Sequence, residues 1–344
     1  MRLVFAGSPA AAVPSLTALA AGRHEIVAVL TRDDTPQGRR RVLTATPVAV
    51  EAERLGLPVV KARRVTPEVA AELMSLDADL GVVVAYGALL REPLLGAPRL
   101  GWVNLHFSLL PAWRGAAPVQ RSLMAGDDVS GAVVFRLVPE LDAGDVLGTL
   151  RRPLDGTETA GDLLAELSVT GAELLTGVVD GLADGTATAV PQTGAVTLAP
   201  KLGLADGDLD PSRPADDLLA RFRGVTPEPG ARVDLDGTSL KITEARGTAP
   251  GDEPLEAGRL EYRGRRLLLG TASSPVELVR VQPAGKKEMP AADWWRGLPP
   301  GVVRRVTPPI RRPGPVRAPA AAPTPPATAV LSDPTTVPDP KSTS

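Results

Sequence analysis

Apolar residues in the first half of the chain come in short runs that switch repeatedly between a strand period and a helical one. Residues 2–5 read as a strand, 13–21 as a helix and 25–30 as a second strand. A polar loop follows, TRDDTPQGRRRVLTAT, and then a helix over 47–55 with proline in its first turn. Next come a short strand at 59–60, a helix over 67–75, a wholly apolar strand at 80–85 and a further strand at 102–105. Segments 130–138 and 145–150 pattern as two strands around a turn at 142–144, and a long helix over 159–182 closes the unit. Strands and helices alternating at this spacing imply right-handed crossovers and a parallel sheet covered on both faces, an α/β domain over residues 1–185.

The pattern then weakens. Residues 186–205, which contain most of DGTATAVPQTGAV, form a linker rich in Gly, Thr and Ala. One helix (215–222) precedes short alternating strands at 232–235, 239–243, 266–269 and 276–281. Asp-Gly and Arg-Gly turns between them predict a small β-barrel or sandwich over 206–305. Residues 306–344 are mostly Pro, Ala and Thr, cannot bury enough apolar surface to offset ordering entropy, and are predicted to be a disordered tail. No internal repeat is visible.

Composition narrows the chemistry more than the fold. With 344 residues, 43% hydrophobic and 23% charged, the chain is an ordinary globular protein of two-domain size. The absence of cysteine excludes disulfides, thiolate metal sites and a cysteine nucleophile, and two histidines argue against a histidine-built metal centre. The start, MRLVFAGSPA, has too short an apolar run for a signal peptide, and no long uncharged apolar stretch occurs, so a cytoplasmic protein with no membrane span is expected. Net charge is −2, yet residues 258–305 carry ten basic against four acidic residues, net +6, and three arginines stand together at 39–41. A local basic stripe suits phosphate-backbone contacts, although a three-arginine run is usually a solvated face.

Two histidines make the search for an acid–base group short. His24, in GRHEIVAV at the polar start of a strand, reads as structural. His106 follows an apolar strand, inside NLHFSLLPAWRGAAPVQ at 104–120, and catalytic groups in open α/β sheets collect at the carboxyl ends of strands. Asn104 lies two residues earlier, so both side chains share a face of the strand and can form an oxyanion-binding pair. A turn-capping amide beside a satisfied core histidine fits the same spacing. Asp142, in PELDAGDV, could orient His106 and raise its pKa, or could simply form its turn.

The run NLHFSLLPAWRGAAPVQ resembles the signature of the formyltetrahydrofolate-using formyltransferases, and LDAGD, beginning 37 residues after Asn104, matches their aspartate segment. FAGSP (5–9), QGRRR (37–41), VVVAYGALL (82–90) and QPAGKK (282–287) extend the likeness from residue 1 to about 298. The opening FAGSP, the arginine loop and the second domain are similar to the branch that formylates methionyl-tRNA. Departures are Phe107 where the family often has glycine, GSPAAAV in the first loop, Pro211 where tryptophan often follows Leu-Asp, and the proline-rich tail.

The resemblance implies a Rossmann-like formyltransferase domain followed by a small OB-like β-barrel. It implies transfer from 10-formyltetrahydrofolate, without metal, to the α-amine of initiator methionyl-tRNA. Asn104 and His106 would donate to the tetrahedral oxyanion, and Asp142 would hold His106 and help move the proton. Ser108, Leu109, Leu110 and Pro111 would form a rigid turn against the folate, with Tyr86 and Gly87 lining the same pocket; plain packing suits Tyr86 equally. Arg39, Arg40, Arg41, Lys286 and Lys287 would meet the tRNA, and Arg114 would be near the acceptor or on the surface. The chain is expected to act as a monomer. A small amine acceptor, such as an amino sugar nucleotide or glycinamide ribonucleotide, is the alternative within this chemistry. A non-catalytic nucleic-acid-binding protein is the alternative outside it, and a dehydrogenase is excluded because no G-x-G-x-x-G follows the first strand.

Overall fold

The structure, a computed structural model, describes residues 1–38, 41–235, 237–249, 251–299 and 304–309. Its first sheet has seven strands. Five run parallel: β1 (Arg2–Gly7), β2 (Glu25–Thr31), β3 (Val59–Lys61), β4 (Leu80–Val84) and β5 (Trp102–His106). At one edge β6 (Val129–Arg136) and β7 (Val146–Pro153) join antiparallel, giving the order β7-β6-β5-β4-β1-β2-β3. The sheet is therefore parallel up to β5 and mixed beyond it: β6 runs against β5, and the loop from β6 to β7, too short for a crossover, turns β7 back against β6.

Five helices accompany the sheet: α1 (Val13–Ala20), α2 (Pro47–Arg54), α3 (Pro67–Met74), α4 (Pro118–Ala125) and α5 (Ala160–Asp184). α1, α2 and α5 cover one face, burying Leu16, Ala52, Leu163, Leu167 and Leu175 against Leu3, Phe5, Val82, Val103 and Leu105. α3 and the segment carrying Leu94 cover the other face over Val4, Ala6, Val83 and Trp102. α5 begins at a reciprocal cap in which Thr159 and Asp162 each bond the other's backbone N–H, and it ends at Gly185 in the left-handed region. Strand order reverses beside β1, so the switch point lies between β1 and β4, where such sheets place their ligands.

The second domain is a closed barrel of six strands. They are β8 (Ala231–Leu235), β9 (Thr238–Gly247), β10 (Arg259–Arg263), β11 (Arg266–Leu269), β12 (Val276–Pro283) and β13 (Arg304–Thr307), and the β9–β12 pairing closes the ring. Two helices accompany it, α6 (Ala215–Val225) and α7 (Ala291–Arg296). α6 packs on α4, and Met124 of α4 reaches the barrel's core. Arg121 bonds Asp206 at 2.9 Å and the Pro200 carbonyl at 3.1 Å, tying the two domains together.

The sequence reading has no counterpart for the hairpin Thr35–Gln37 with Val42–Thr44, nor for α4, β10, α7 and β13. Packed chain passes the expected boundary at 305, because Val306 is 3% exposed and its N–H donates to the Gly258 carbonyl at 2.7 Å. The remainder of the expected tail, from 310, lies outside the described residues. No helix among the described residues is long and apolar enough to cross a membrane.

Candidate active site

Alternation along β5 sorts its side chains. Val103 and Leu105 join the core under α5, and Phe107 follows on that same face. Gly171 of α5 leaves the space that Leu105 and Phe107 fill. Phe107 is thus a core side chain, and its neighbours Asn104 and His106 are turned the other way.

His106 is buried, and its Nε2 lies 2.9 Å from the Trp113 carbonyl oxygen. A carbonyl only accepts, so Nε2 carries the proton and the neutral ring keeps its lone pair on Nδ1. Nδ1 faces Asp142 Oδ2 at 3.9 Å, beyond hydrogen-bond length. Two expectations change here. The ring is oriented by the Trp113 carbonyl while Asp142 acts through its charge, and neutral His106 has no free N–H for an oxyanion. Burial lowers the pKa of His106 below the ordinary histidine value, against the opposing pull of Asp142 and the Trp113 carbonyl.

That depression has a consequence for stability. Between its lowered folded value and the unfolded one near 6.5, the unfolded chain binds the extra proton, so this contribution is complete above pH ~6.5 and is lost on acidification. The slope reaches at most about 1.4 kcal/mol per pH unit. His106→Gln should remove that component, seen as a smaller fall in the urea midpoint between pH 7 and pH 5.5 than the wild type shows.

Asp142 adopts φ 47°, a left-handed conformation that aspartate tolerates better than most residues. Its Oδ2 accepts from the Gly115 N–H at 2.7 Å. Gly144 is required by contact, since a Cβ there would sit 1.8 Å from the Arg136 carbonyl oxygen. Asn104 Oδ1 and Arg114 Nε are buried without partners. Buried polar atoms are nearly always paired, so an orphan acceptor and an orphan donor in this region fit a ligand that brings amine or amide groups. That is the chemistry of a formyl donor and an amine acceptor.

The turn 108–112 holds itself: Ser108 Oγ donates to the Ala112 carbonyl at 2.7 Å, and Ala112 N–H to the Leu109 carbonyl at 3.1 Å. Leu109 and Leu110 stay half-buried beside buried Pro111. The side chain of Tyr86 does not line a pocket. It is 1% exposed, its hydroxyl donates to the Ala62 carbonyl at 2.8 Å, and burial pushes its pKa up to about 12. Only backbone is left for the switch-point crevice at this position, where Ser8 Oγ donates to the Tyr86 carbonyl at 2.9 Å. Gly87 is exposed, and its carbonyl accepts from Arg32 at 2.8 Å.

Arg39 and Arg40 lie outside the described residues, and Arg41 is exposed beside them. The expected basic stripe of the barrel is largely neutralised. Arg259, Arg263, Arg266, Arg280, Arg296 and Arg305 each pair with a carboxylate. Two of those partners, Asp252 and Glu256, precede the stripe, and residues 252–305 carry ten basic against seven acidic residues, net +3. Arg265, Lys286, Lys287 and Arg304 make no ion pair among the described residues.

Three groups around the site carried no sequence signal: the Trp113 carbonyl, Gln192 and Thr197. The first is backbone, and the others lie in the weakly patterned segment read as a linker.

Comparison with known proteins agrees with this arrangement. Residues 1–179 match the formyl transferase family and residues 201–299 match the formyl transferase C-terminal domain. The methionyl-tRNA formyltransferase of Leifsonia xyli subsp. xyli is 62% identical over 86% of this chain and 97% of its own. That of Arthrobacter sp. is 52% identical over 86% and 97%. In fold, a crystal structure of WlaRD, a sugar 3N-formyl transferase, matches with a TM-score of 0.63 at 15% identity over 83% of this chain and 99% of that one. Shared length, both domains and identity above one half leave a single assignment: the chain belongs to the methionyl-tRNA formyltransferase family.

Proposed function

We propose that the chain transfers the formyl group of 10-formyltetrahydrofolate to the α-amine of methionine esterified to initiator tRNA, with Asn104, His106 and Asp142 as the reacting set. The observation that supports the reading is Asn104 and His106 on one face at the carboxyl end of β5, with Asp142 facing the free nitrogen of His106. As the amine attacks the formyl carbon and the new C–N bond forms, Asn104 Nδ2 donates to the developing oxyanion. His106 Nδ1 takes the proton leaving the amine, and the Asp142 charge stabilises the imidazolium. The protonated Nδ1 then donates to the folate nitrogen as its bond to carbon breaks, which restores neutral His106. The turn 108–111 and the backbone at Tyr86 and Gly87 hold the folate.

Arg41, with Arg39 and Arg40, and Lys286 with Lys287 take the tRNA backbone. The protein acts as a monomer in the cytoplasm. The small-acceptor alternative is less well supported: a sugar formyltransferase shares the fold at 15% identity, whereas relatives above 50% are named for methionyl-tRNA. Purified protein given 10-formyltetrahydrofolate and methionyl-tRNA should yield formylmethionine on hydrolysis of the ester, read by mass spectrometry; free methionine alone would refute the proposal.

The ion-pair map separates the cations further. Each phosphate contact adds about 0.7–0.9 to the slope of log affinity against log salt. Lys286→Ala with Lys287→Ala should therefore flatten the tRNA slope by up to about 2 units. Arg259→Ala with Arg263→Ala, which removes cations already paired with Glu261, should change it much less. Equal slopes for the two double variants would contradict this division.

A further inference from the structure

We infer that the segment joining the two domains is part of the catalytic apparatus, and that Gln192 is a positioning residue that sets Asp142 against His106. The inference rests on the proposed role of that pair. Residues 190–199 do not hang free between the domains: they are stitched along the active-site loops. Val190 exchanges backbone hydrogen bonds with Val146, each at 2.8 Å, just after the Asp142 turn. Thr197 Oγ1 accepts from the Trp113 N–H at 2.8 Å, which fixes the residue whose carbonyl holds His106. The Ala199 carbonyl accepts from the N–H groups of Ala116 and Ala117 at 2.9 and 3.1 Å.

Gln192 lies between the two loops. Its Nε2 donates to the carbonyls of Asp142 and Gly144 at 2.8 and 2.9 Å. Its Oε1 accepts from the Arg114 guanidinium at 2.6 Å. The next residue, Gly115, donates its N–H to the Asp142 carboxylate at 2.7 Å, so one amide closes a ring from the Asp142 backbone through Arg114 to the Asp142 side chain. Two carbonyls need two N–H donors and a guanidinium needs an acceptor; only a primary amide supplies both from one end. No other hydrogen bond to the carbonyls of Asp142 or Gly144 occurs among the described residues. Without Gln192 the aspartate would keep its strained backbone with one fewer tether.

Two substitutions test this. Gln192→Met keeps the length and removes every bond, whereas Gln192→Glu keeps the acceptor for Arg114 and puts a carboxylate against two carbonyls. Both should lower kcat about ten- to a hundredfold, since small misplacement of a reacting group is costly, while KM for each substrate stays within about twofold. The second readout is the proton NMR titration of the imidazoles. Two histidines are present, and the His106 signal is the one that His106→Gln removes. The groups facing the His106 ring are the Asp142 carboxylate, the Trp113 carbonyl and the Phe135 ring, set perpendicular to it. Retreat of the carboxylate should move the His106 midpoint to lower pH in Gln192→Met, which adds no charge of its own, a change that a loss of folded protein does not produce. Wild-type kcat, or a reduced kcat with the His106 titration unmoved in Gln192→Met, would overturn the inference. A moved titration with undiminished formyl transfer would instead overturn the catalytic role of the pair, and the inference with it.

Discussion

Replacing His106 with alanine lowers the turnover of formyl transfer by about a hundredfold or more, because the proton of the attacking amine loses its only positioned acceptor. The chain should still fold, since the ring's single hydrogen bond goes to a backbone carbonyl at 2.9 Å. Asn104→Ala should cost a comparable factor in turnover through loss of an oxyanion donor, but its effect on stability has a different sign. Asn104 Oδ1 is buried with no partner, and an unpaired buried acceptor costs about 1–3 kcal/mol. Removing it should leave the thermal midpoint no lower than that of the wild type. An Asn104→Ala protein that is both active and destabilised would show that the amide serves the fold and not the reaction.

Asp142→Asn should give the second large effect. The amide has the volume of the carboxylate, its oxygen can still accept from the Gly115 N–H, and the backbone bonds to Gln192 are untouched. What disappears is the negative charge 3.9 Å from His106 Nδ1. The imidazolium formed during transfer is then unsupported in a buried site, and kcat should fall at least about tenfold with donor affinity near that of the wild type. Measured donor binding and kcat separate this from the contrary result, weakened folate binding with unchanged kcat at saturation, which would make Asp142 a binding residue.

Much of this could be read from residue patterns, and the failures have physical causes. The alternation of β5 and the helical stripes of α1, α2, α3 and α5 are strong periodic signals, and all of them form. α4 is amphipathic, but its first turn overlaps the loop motif that ends at Gln120, which hides its start; it buries Val119 and Leu123 in the core and packs on α6. β13 consists of four residues that join β8 to β10, and a proline-rich context hides it. The segment around Gln192 has no period because its work is done by individual hydrogen bonds to loops distant in sequence. Tyr86 sits in a motif that suggested ligand contact, but the motif shapes backbone at the switch point while the ring completes the core beneath α3. Charge counted along 258–305 overstated the basic surface, since Asp252 and Glu256 fold back onto Arg266 and Arg305.

The identity of the acceptor is decided by kcat/KM for formyl transfer from 10-formyltetrahydrofolate to methionyl-tRNA and to a nucleotide-linked amino sugar, with the same protein preparation at the same salt. The tRNA should be preferred by several orders of magnitude, and His106→Ala should slow the preferred reaction by about a hundredfold or more. Comparable efficiencies, or a preference for the amino sugar, would contradict the account.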